Sequence, residues 1–332
     1  MTTFTIGNIT SEPGTLARGV IVAGYLEDSS PVEVPLIVVN GARPGPLLWI
    51  GGALHGPEIS GIEVIRRITR EQIDPTRLFG TVVGATVQNP LALRDHHRLI
   101  LREGADVNRL FPGRENGSMA DLLAYRLFHD GISRADCVID LHANMHPGID
   151  FILVRGNNEV ADRSLELAKL FGWTIIQALS SQETSMTGTL MDAALNAGIP
   201  AMTLELTPQR QLYNDAIDSA CLGILNVMRS LQMLEGPIQE PETKAAIPVI
   251  LGNTVQLRAR RGGFTQPLLE VGTEVKAGGA VLRIRDPYGD EVESVVSPIE
   301  GYVTVYPRYA NQACYSGQTV AFVNPVRYPQ RN

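Results

Sequence analysis

From Leu47 to Leu234 the chain alternates short apolar runs with stretches whose apolar residues recur at helical spacing, and this alternation narrows the fold more than any other feature. Leu47–Gly52, Phe79–Val87, Cys137–Leu141, Phe151–Val154 and Ile199–Leu206 read as strands. Ile59, Ile62, Ile65 and Ile68 mark a helix from Glu58 through Thr69. Met119–Ser133, with Ser118 as N-cap, reads as a second helix. Asn158–Phe171 and the stretch from about Asp215 to Leu234 read as two more. Alternation of this kind predicts a mostly parallel sheet covered by helices. In such sheets, ligands bind outside the carboxyl ends of the strands. Two further strands, Arg18–Leu26 and Val32–Val39, precede the alternating part. With 332 residues, 44% of them hydrophobic, the chain has apolar material for one large domain or two unequal ones.

The pattern changes at Glu235–Pro248, where Pro and charge dominate as in a linker. Short β runs punctuated by Gly and Pro follow: Val255–Ala259, Gly263–Pro267, Ala280–Arg285, Glu291–Val296, Gly301–Tyr306 and Thr319–Val323. The expected division is therefore a catalytic domain over residues 1–236 and a small all-β module over 237–332.

The net charge of −7 supplies no basic face for nucleic acid. It does not bar an anionic substrate, because a local arginine cluster reverses the sign inside a pocket. The N-terminus has neither a basic n-region nor an apolar h-region, so no secretory signal is expected. Every apolar run is broken by Gly, Pro or charge, so no membrane span is expected either, and the expected location is the cytoplasm. Cys137, Cys221 and Cys314 are widely separated and read as buried free thiols rather than a disulfide framework.

The chemistry concentrates at strand ends. In Gly51-Gly52-Ala53-Leu54-His55-Gly56-Pro57-Glu58 an apolar strand runs through a Gly-rich turn into a helix. His55 and Glu58, three apart, can share one helical face and reach one ion. Alone, this spacing also fits a surface histidine and a first-turn glutamate favoured by the helix dipole. A second strand ends in Asp140-Leu141-His142. Three protein ligands with a fourth position open is the pattern of a catalytic zinc. Asp140 either orients a ligand from behind or points elsewhere. Glu205 sits in the apolar run Ala201–Leu206, and burying an unpaired charge there is costly. It is held in an ion pair, protonated, or placed at a site as general base for metal-activated water.

The long polar stretch Asn89–Gly117 reads as a functional loop. Within it, Asn108 and Arg109 can grip a carboxylate, the guanidinium fork matching it with two hydrogen bonds. Arg98 and Arg102 lie upstream, and one of them can steady an oxyanion. Arg102 equally fits a solvated surface charge. His146, just past the third ligand, is a weaker candidate for the pocket, and His96 and His97 have no role beyond possible substrate contact.

Taken in order, Gly-Gly-x-x-His-Gly-x-Glu, Asp-x-Asn-Arg-x-Phe-Pro-Gly, Asp-Leu-His and Thr-Leu-Glu-Leu resemble the succinylglutamate desuccinylase/aspartoacylase family, which is similar to the zinc carboxypeptidases. The resemblance runs from about Leu47 to the last β module. It implies one zinc per chain on His55, Glu58 and His142, with Glu205 as general base. Asn108 and Arg109 would hold the substrate carboxylate, and Arg98 would assist the carbonyl, with Arg102 as the alternative register. It also implies a mixed rather than parallel sheet in a three-layer α/β domain, a small C-terminal β domain over the site, and a dimer or tetramer. The sequence departs from many relatives at Ala143-Asn144 and at Thr207-Pro208, which bears on substrate identity.

The stretch Gly272–Gly278 resembles a biotinyl/lipoyl-like sandwich. A carrier would display a lysine on the opposite hairpin, but Asp286–Pro298 contains none, so the module reads as a cap whose Ala310–Gly317 loop can reach the site. The function expected is a zinc-dependent deacylase acting on an N-acyl amino acid or a related small carboxylate-bearing amide. The alternatives are a carboxypeptidase for short peptides and a non-catalytic metal- or ligand-binding protein.

Overall fold

A computed structural model describes residues 2–179, 187–241, 246–247, 250–307 and 311–327. Parts of the 235–248 linker and the first residue of the Ala310–Gly317 loop lie outside these residues.

A small hairpin, β1 (Phe4–Ile6) and β2 (Ile9–Ser11), opens the chain. It is followed by β3 (Thr15–Tyr25), β4 (Pro31–Asn40), β5 (Arg43–Gly52), α1 (Ser60–Arg67), β6 (Phe79–Ala85), α2 (Pro90–Arg94), α3 (Met119–Asp130), β7 (Cys137–His142), β8 (Phe151–Arg155) and α4 (Glu159–Ala168). Then come β9 (Thr174–Ala178), α5 (Leu190–Asn196), β10 (Ala201–Glu205), α6 (Asn214–Ser230) and β11 (Ile250–Leu251). Strands β3 to β11 form one nine-stranded sheet in the order β11-β9-β8-β10-β7-β5-β6-β4-β3.

The sheet is mixed, as the family resemblance implies, and the simple parallel reading is corrected. Its centre, β10-β7-β5-β6, is parallel. β8 runs antiparallel beside β10, and β4 runs antiparallel to both β6 and β3. Hydrophobic clusters lie on both faces. Leu123, Ala124 and Leu127 of α3 and Leu190 and Ala194 of α5 pack on one side. Val64 and Ile65 of α1, Leu167 of α4, and Ile217, Ile224 and Val227 of α6 pack on the other. The result is three layers.

Element ends differ locally from the pattern. Helix α1 starts at Ser60, so Glu58 lies in the turn before it, and five further residues, Ile68–Gln72, wind as a π-turn. Ser118 caps α3 through a reciprocal capping box with Asp121. The Asn89–Gly117 stretch carries α2, capped by the Asn89 side chain, and a 3-10 turn at Val107–Arg109, so it is more ordered than a plain loop.

The C-terminal module contains β12 (Val255–Arg258), β13 (Gly263–Pro267), β14 (Glu274–Val275), β15 (Ala280–Arg285), β16 (Glu291–Val296), β17 (Gly301–Val305), β18 (Ala313–Cys314) and β19 (Thr319–Asn324). These make two four-stranded antiparallel sheets around their own core. Before entering the module, the chain adds β11 to the large sheet beside β9. The module touches the loop after β7. Ile149 N–H donates to the Thr304 carbonyl at 3.1 Å, and Tyr306 N–H donates to the Pro147 carbonyl at 3.0 Å. Ile149, Phe151, Ile176 and Val305 share a cluster at this junction. All three cysteines are buried and free. Among the described residues, no helix is long and apolar enough to cross a membrane.

Candidate metal centre

Three neighbouring parallel strands end at one edge of the sheet. β5 leads into the turn that carries His55 and Glu58, β7 ends in His142, and β10 ends in Glu205. In register, Gly52 lies opposite Leu141, and Glu205 opposite His142. Parallel neighbours share their carboxyl edge, so residues distant in sequence meet there. The turn itself is tightly held. Ala53 adopts a left-handed φ of 48°. Gly56 passes against the Ala92 carbonyl with no room for a β-carbon, and its N–H donates to the His97 carbonyl at 3.0 Å.

His55 Nδ1 lies 3.2 Å from His142 Nδ1 and 2.9 Å from Glu58 Oε1, and His142 Nδ1 lies 2.7 Å from Glu58 Oε2. All three side chains are buried, with one ligand atom from each within 4.8 Å of the others. Two ring nitrogens face each other here and need a proton or a cation between them. A tetrahedral ion with arms of about 2.0–2.1 Å spaces its ligands roughly 3.3 Å apart, close to the nitrogen–nitrogen edge seen. Two imidazoles and a carboxylate therefore fit a divalent ion of the zinc type.

The outer nitrogen of each ring is also held. His142 Nε2 lies 2.8 Å from Asp140 Oδ2, and His55 Nε2 lies 3.2 Å from Asp106 Oδ1. Asp140 accepts a second hydrogen bond from Gln88 Nε2 at 3.0 Å. Asp106 also accepts from Arg98 Nε at 3.0 Å and from the Asn108 backbone N–H at 3.0 Å. Carboxylates behind the rings fix both Nδ1 atoms toward the centre and raise their basicity.

The charges follow from these contacts. Burial pushes the Glu58 pKa up, but the facing imidazoles of His55 and His142 outweigh it and hold the carboxyl well below its usual range. Burial disfavours the cationic form of His142, yet Asp140 and Glu58 outweigh it and the pKa lies well above the ordinary histidine value. Burial of Asp106 is likewise overcome by the hydrogen bond to His55 and the charge of Arg98. Glu205 behaves in the opposite way. Burial dominates and pushes its pKa up to about 7, against the attraction of His142 and with the repulsion of Glu58.

A cavity of about 130 Å³ gathers His55, Glu58, His142, Glu205, Arg98, Asn108 and Arg109. Asn108 is fixed by the Leu190 N–H, which donates to its Oδ1 at 2.9 Å. Arg98 reaches to 3.4 Å from His55 Nδ1 while its other nitrogens bind Asp106. Arg102 is not brought into the site; it pairs with Glu27 at 2.9 Å. His146 lines a neighbouring cavity rather than the metal cavity. His97 serves the fold, its Nδ1 accepting the Leu99 N–H at 3.0 Å.

The structure adds residues to which the sequence reading assigned no role. Asp106 belongs to the Asp-x-Asn-Arg motif, which was a usable signal. Asp140, for which the sequence left two orientations open, lies two residues before His142 on β7, so the two share a face. Gln88 and Gln209 carried no local signal. Gln209 Nε2 donates to the Ala143 carbonyl at 2.8 Å and lies 3.4 Å from Glu58 Oε1.

Fold and cage together define an α/β protein with a candidate metal centre at the carboxyl edge of a mixed sheet. The catalytic-domain model of the succinylglutamate desuccinylase/aspartoacylase family matches residues 44–231, and the chain belongs to that family. It is 23% identical over 274 residues to the N-alpha-acetyl-L-2,4-diaminobutyric acid deacetylase of Halomonas elongata, covering 81% of this chain and 78% of the relative. A succinylglutamate desuccinylase/aspartoacylase from Rhodobacter sphaeroides superposes with a TM-score of 0.81 at 22% identity, over 95% of this chain and 96% of the other. The product-bound ectoine utilization protein EutE (DoeB) from Ruegeria pomeroyi gives 0.82 at 20% identity, over 94% and 95%. These structural likenesses bear on the fold alone.

Proposed function

We propose that the protein is a zinc-dependent deacylase that hydrolyses the amide bond of an N-acyl amino acid or a related small carboxylate-bearing amide. The observation that carries this reading is the placement of Glu205, a carboxyl group with no hydrogen-bond partner among the described residues, in one cavity with the His55–Glu58–His142 cage. The Halomonas elongata relative, named for removing an acetyl group from an amino acid, supports this substrate class.

A zinc ion, when bound, supplies Lewis acidity and lowers the pKa of water at the site. Glu205 takes the proton of the attacking water and returns it to the leaving nitrogen. Arg98, held by Asp106 beside His55, faces the charge that develops on the carbonyl oxygen. Arg109 has no carboxylate partner among the described residues, and with Asn108 it grips the substrate carboxylate.

Metal analysis combined with a panel of N-acyl amino acids and dipeptides tests the reading. The expected result is bound zinc and turnover of N-acyl amino acids, with Glu205→Gln keeping the metal and losing about a hundredfold or more in kcat. A metal-replete, active Glu205→Gln protein would falsify the base assignment. Turnover of dipeptides alone would make the protein a carboxypeptidase, and bound zinc with no turnover would make it a binding protein.

A further inference from the structure

A second, larger cavity of about 550 Å³ lies beside the metal cavity, and Gln209 lines both. Through Gln209, this space begins one side chain away from the metal ligand Glu58. If the deacylase reading holds, on which this inference rests, the 130 Å³ metal cavity takes the scissile amide and, at Asn108 and Arg109, the substrate carboxylate. The rest of the substrate needs another volume, and the larger cavity is adjacent.

Asp150 gives that volume a sign. It lines the larger cavity, and one of its oxygens accepts the Thr207 N–H at 2.7 Å. No cationic side chain among the described residues stabilises its charge, and burial raises its pKa against the Thr207 hydrogen bonds. The other ionisable groups on the wall include Arg210 and His146, both exposed. Arg210 points its guanidinium at the His96 carbonyl, 3.4 Å away. A carboxylate held in a cavity without a counter-charge is costly, and a cation arriving with a ligand offsets that cost. The site is also built to keep Asp150 in place. The loop that carries it is pinned to β17 by the Ile149–Thr304 and Pro147–Tyr306 hydrogen bonds and by the Gly148–Val305 bridge.

We propose that the larger cavity is the subsite for the side chain of the acylated amino acid and that Asp150 pairs there with a positive charge. The substrate class is then an N-acyl amino acid whose side chain ends in an ammonium or guanidinium group.

The test compares kcat/KM for Nα-acetyl-ornithine and Nα-acetyl-lysine with that for Nα-acetyl-norleucine, in wild type, Asp150→Asn and Asp150→Glu. Asparagine keeps an acceptor for the Thr207 N–H and removes the charge; glutamate keeps the charge. The expected wild-type preference for the charged side chains is about tenfold to a hundredfold. It should vanish in Asp150→Asn and survive in part in Asp150→Glu. Equal turnover of all three substrates by wild type overturns the proposal, as does an equal loss on all three in a folded Asp150→Asn protein. Calorimetric binding of free L-ornithine, L-lysine and L-norleucine to the zinc-loaded protein separates this failure from failure of the deacylase reading. Asp150-dependent binding of the cationic amino acids without turnover retains the subsite and refutes the deacylase. Turnover without any preference refutes the subsite and retains the deacylase.

Discussion

Removing the carboxylate behind His142 should loosen the metal by an amount that depends on what replaces it. Asp140 is 1% exposed, and its two oxygens serve different donors, His142 Nε2 at 2.8 Å and Gln88 Nε2 at 3.0 Å. In Asp140→Ala both donors lose their partner in a buried site, at about 1–3 kcal/mol each. Gln88 can be left unsatisfied with or without metal, so that share falls on stability. The His142 share falls on metal binding, because only a ring with its outer N–H held keeps Nδ1 aimed and basic. At 1.4 kcal/mol per decade, about 2–3 kcal/mol corresponds to roughly a hundredfold weaker binding. Asp140→Asn should be milder. Its carbonyl still accepts from His142, and its amide N–H₂ can meet Gln88 if that side chain turns over. The Gln88 Oε1 atom is buried without a partner as it stands, so turning it exchanges one unsatisfied atom for another. What is lost is the charge, and about tenfold weaker binding is expected. Asp106→Asn should fall below both, since its contact to His55 is longer, at 3.2 Å, and its side chain is 15% exposed. Competition against a fluorescent chelator measures all three dissociation constants. Wild-type affinity in a folded Asp140→Ala protein would refute the orienting role.

Other perturbations read different parts of the structure. The folded pKa of Glu205 is about 7, above its ordinary 4.5, so the metal-free folded state keeps a proton that the unfolded chain has released between these values. That contribution is fully present below pH 4.5 and is lost as pH rises through about 7, a change on the order of 3 kcal/mol. Urea unfolding of chelator-treated protein should show the decline, and Glu205→Gln should flatten it; equal slopes in both proteins would contradict the burial argument. Gly56→Ala forces a β-carbon against the Ala92 carbonyl and should cost about 1–3 kcal/mol while lowering metal content, checked by thermal unfolding and metal analysis. Ile149→Ala opens the cluster between the large sheet and the module, with an expected cost of about 2–5 kcal/mol by urea unfolding.

The strand–helix alternation was readable because apolar periodicity is local. Most strands of the large sheet and the helices that cover it lie where the pattern puts them, with ends shifted by a few residues. β9 and α5 were not anticipated, for different reasons. Thr174–Ala178 is buried throughout, so it shows no alternation to set it apart from a core helix segment. Leu190–Asn196 has seven residues, too few for a helical period to repeat twice. Strand direction was also beyond reach of the pattern. β8 is almost wholly buried and runs antiparallel to β10, yet such a run reads the same in either direction. Here the family motifs corrected the sheet from parallel to mixed, because they carry long-range information that periodicity lacks.

The candidate site divides along the same line. His55 and Glu58 are tied by spacing within one turn, and His142 and Glu205 by their places at strand ends, so a parallel central sheet was enough to bring them together. Arg98 and Arg102 could not be separated this way. They lie four apart in one polar stretch, and what distinguishes them is the partner each meets: Asp106 beside the cage for Arg98, and Glu27 in the β3–β4 turn for Arg102. Asp150 is the extreme case. In Pro147-Gly148-Ile149-Asp150 it reads as an ordinary loop carboxylate. Its proposed role rests on a cavity, on the absence of a cationic partner among the described residues, and on a module strand more than 150 residues away that pins its loop. Metal chemistry can be written into strand ends, because any three parallel strands converge there. Substrate choice, on the proposed reading, depends on which group the loops leave facing the substrate, and that is decided only by long-range contacts such as those between the Asp150 loop and β17.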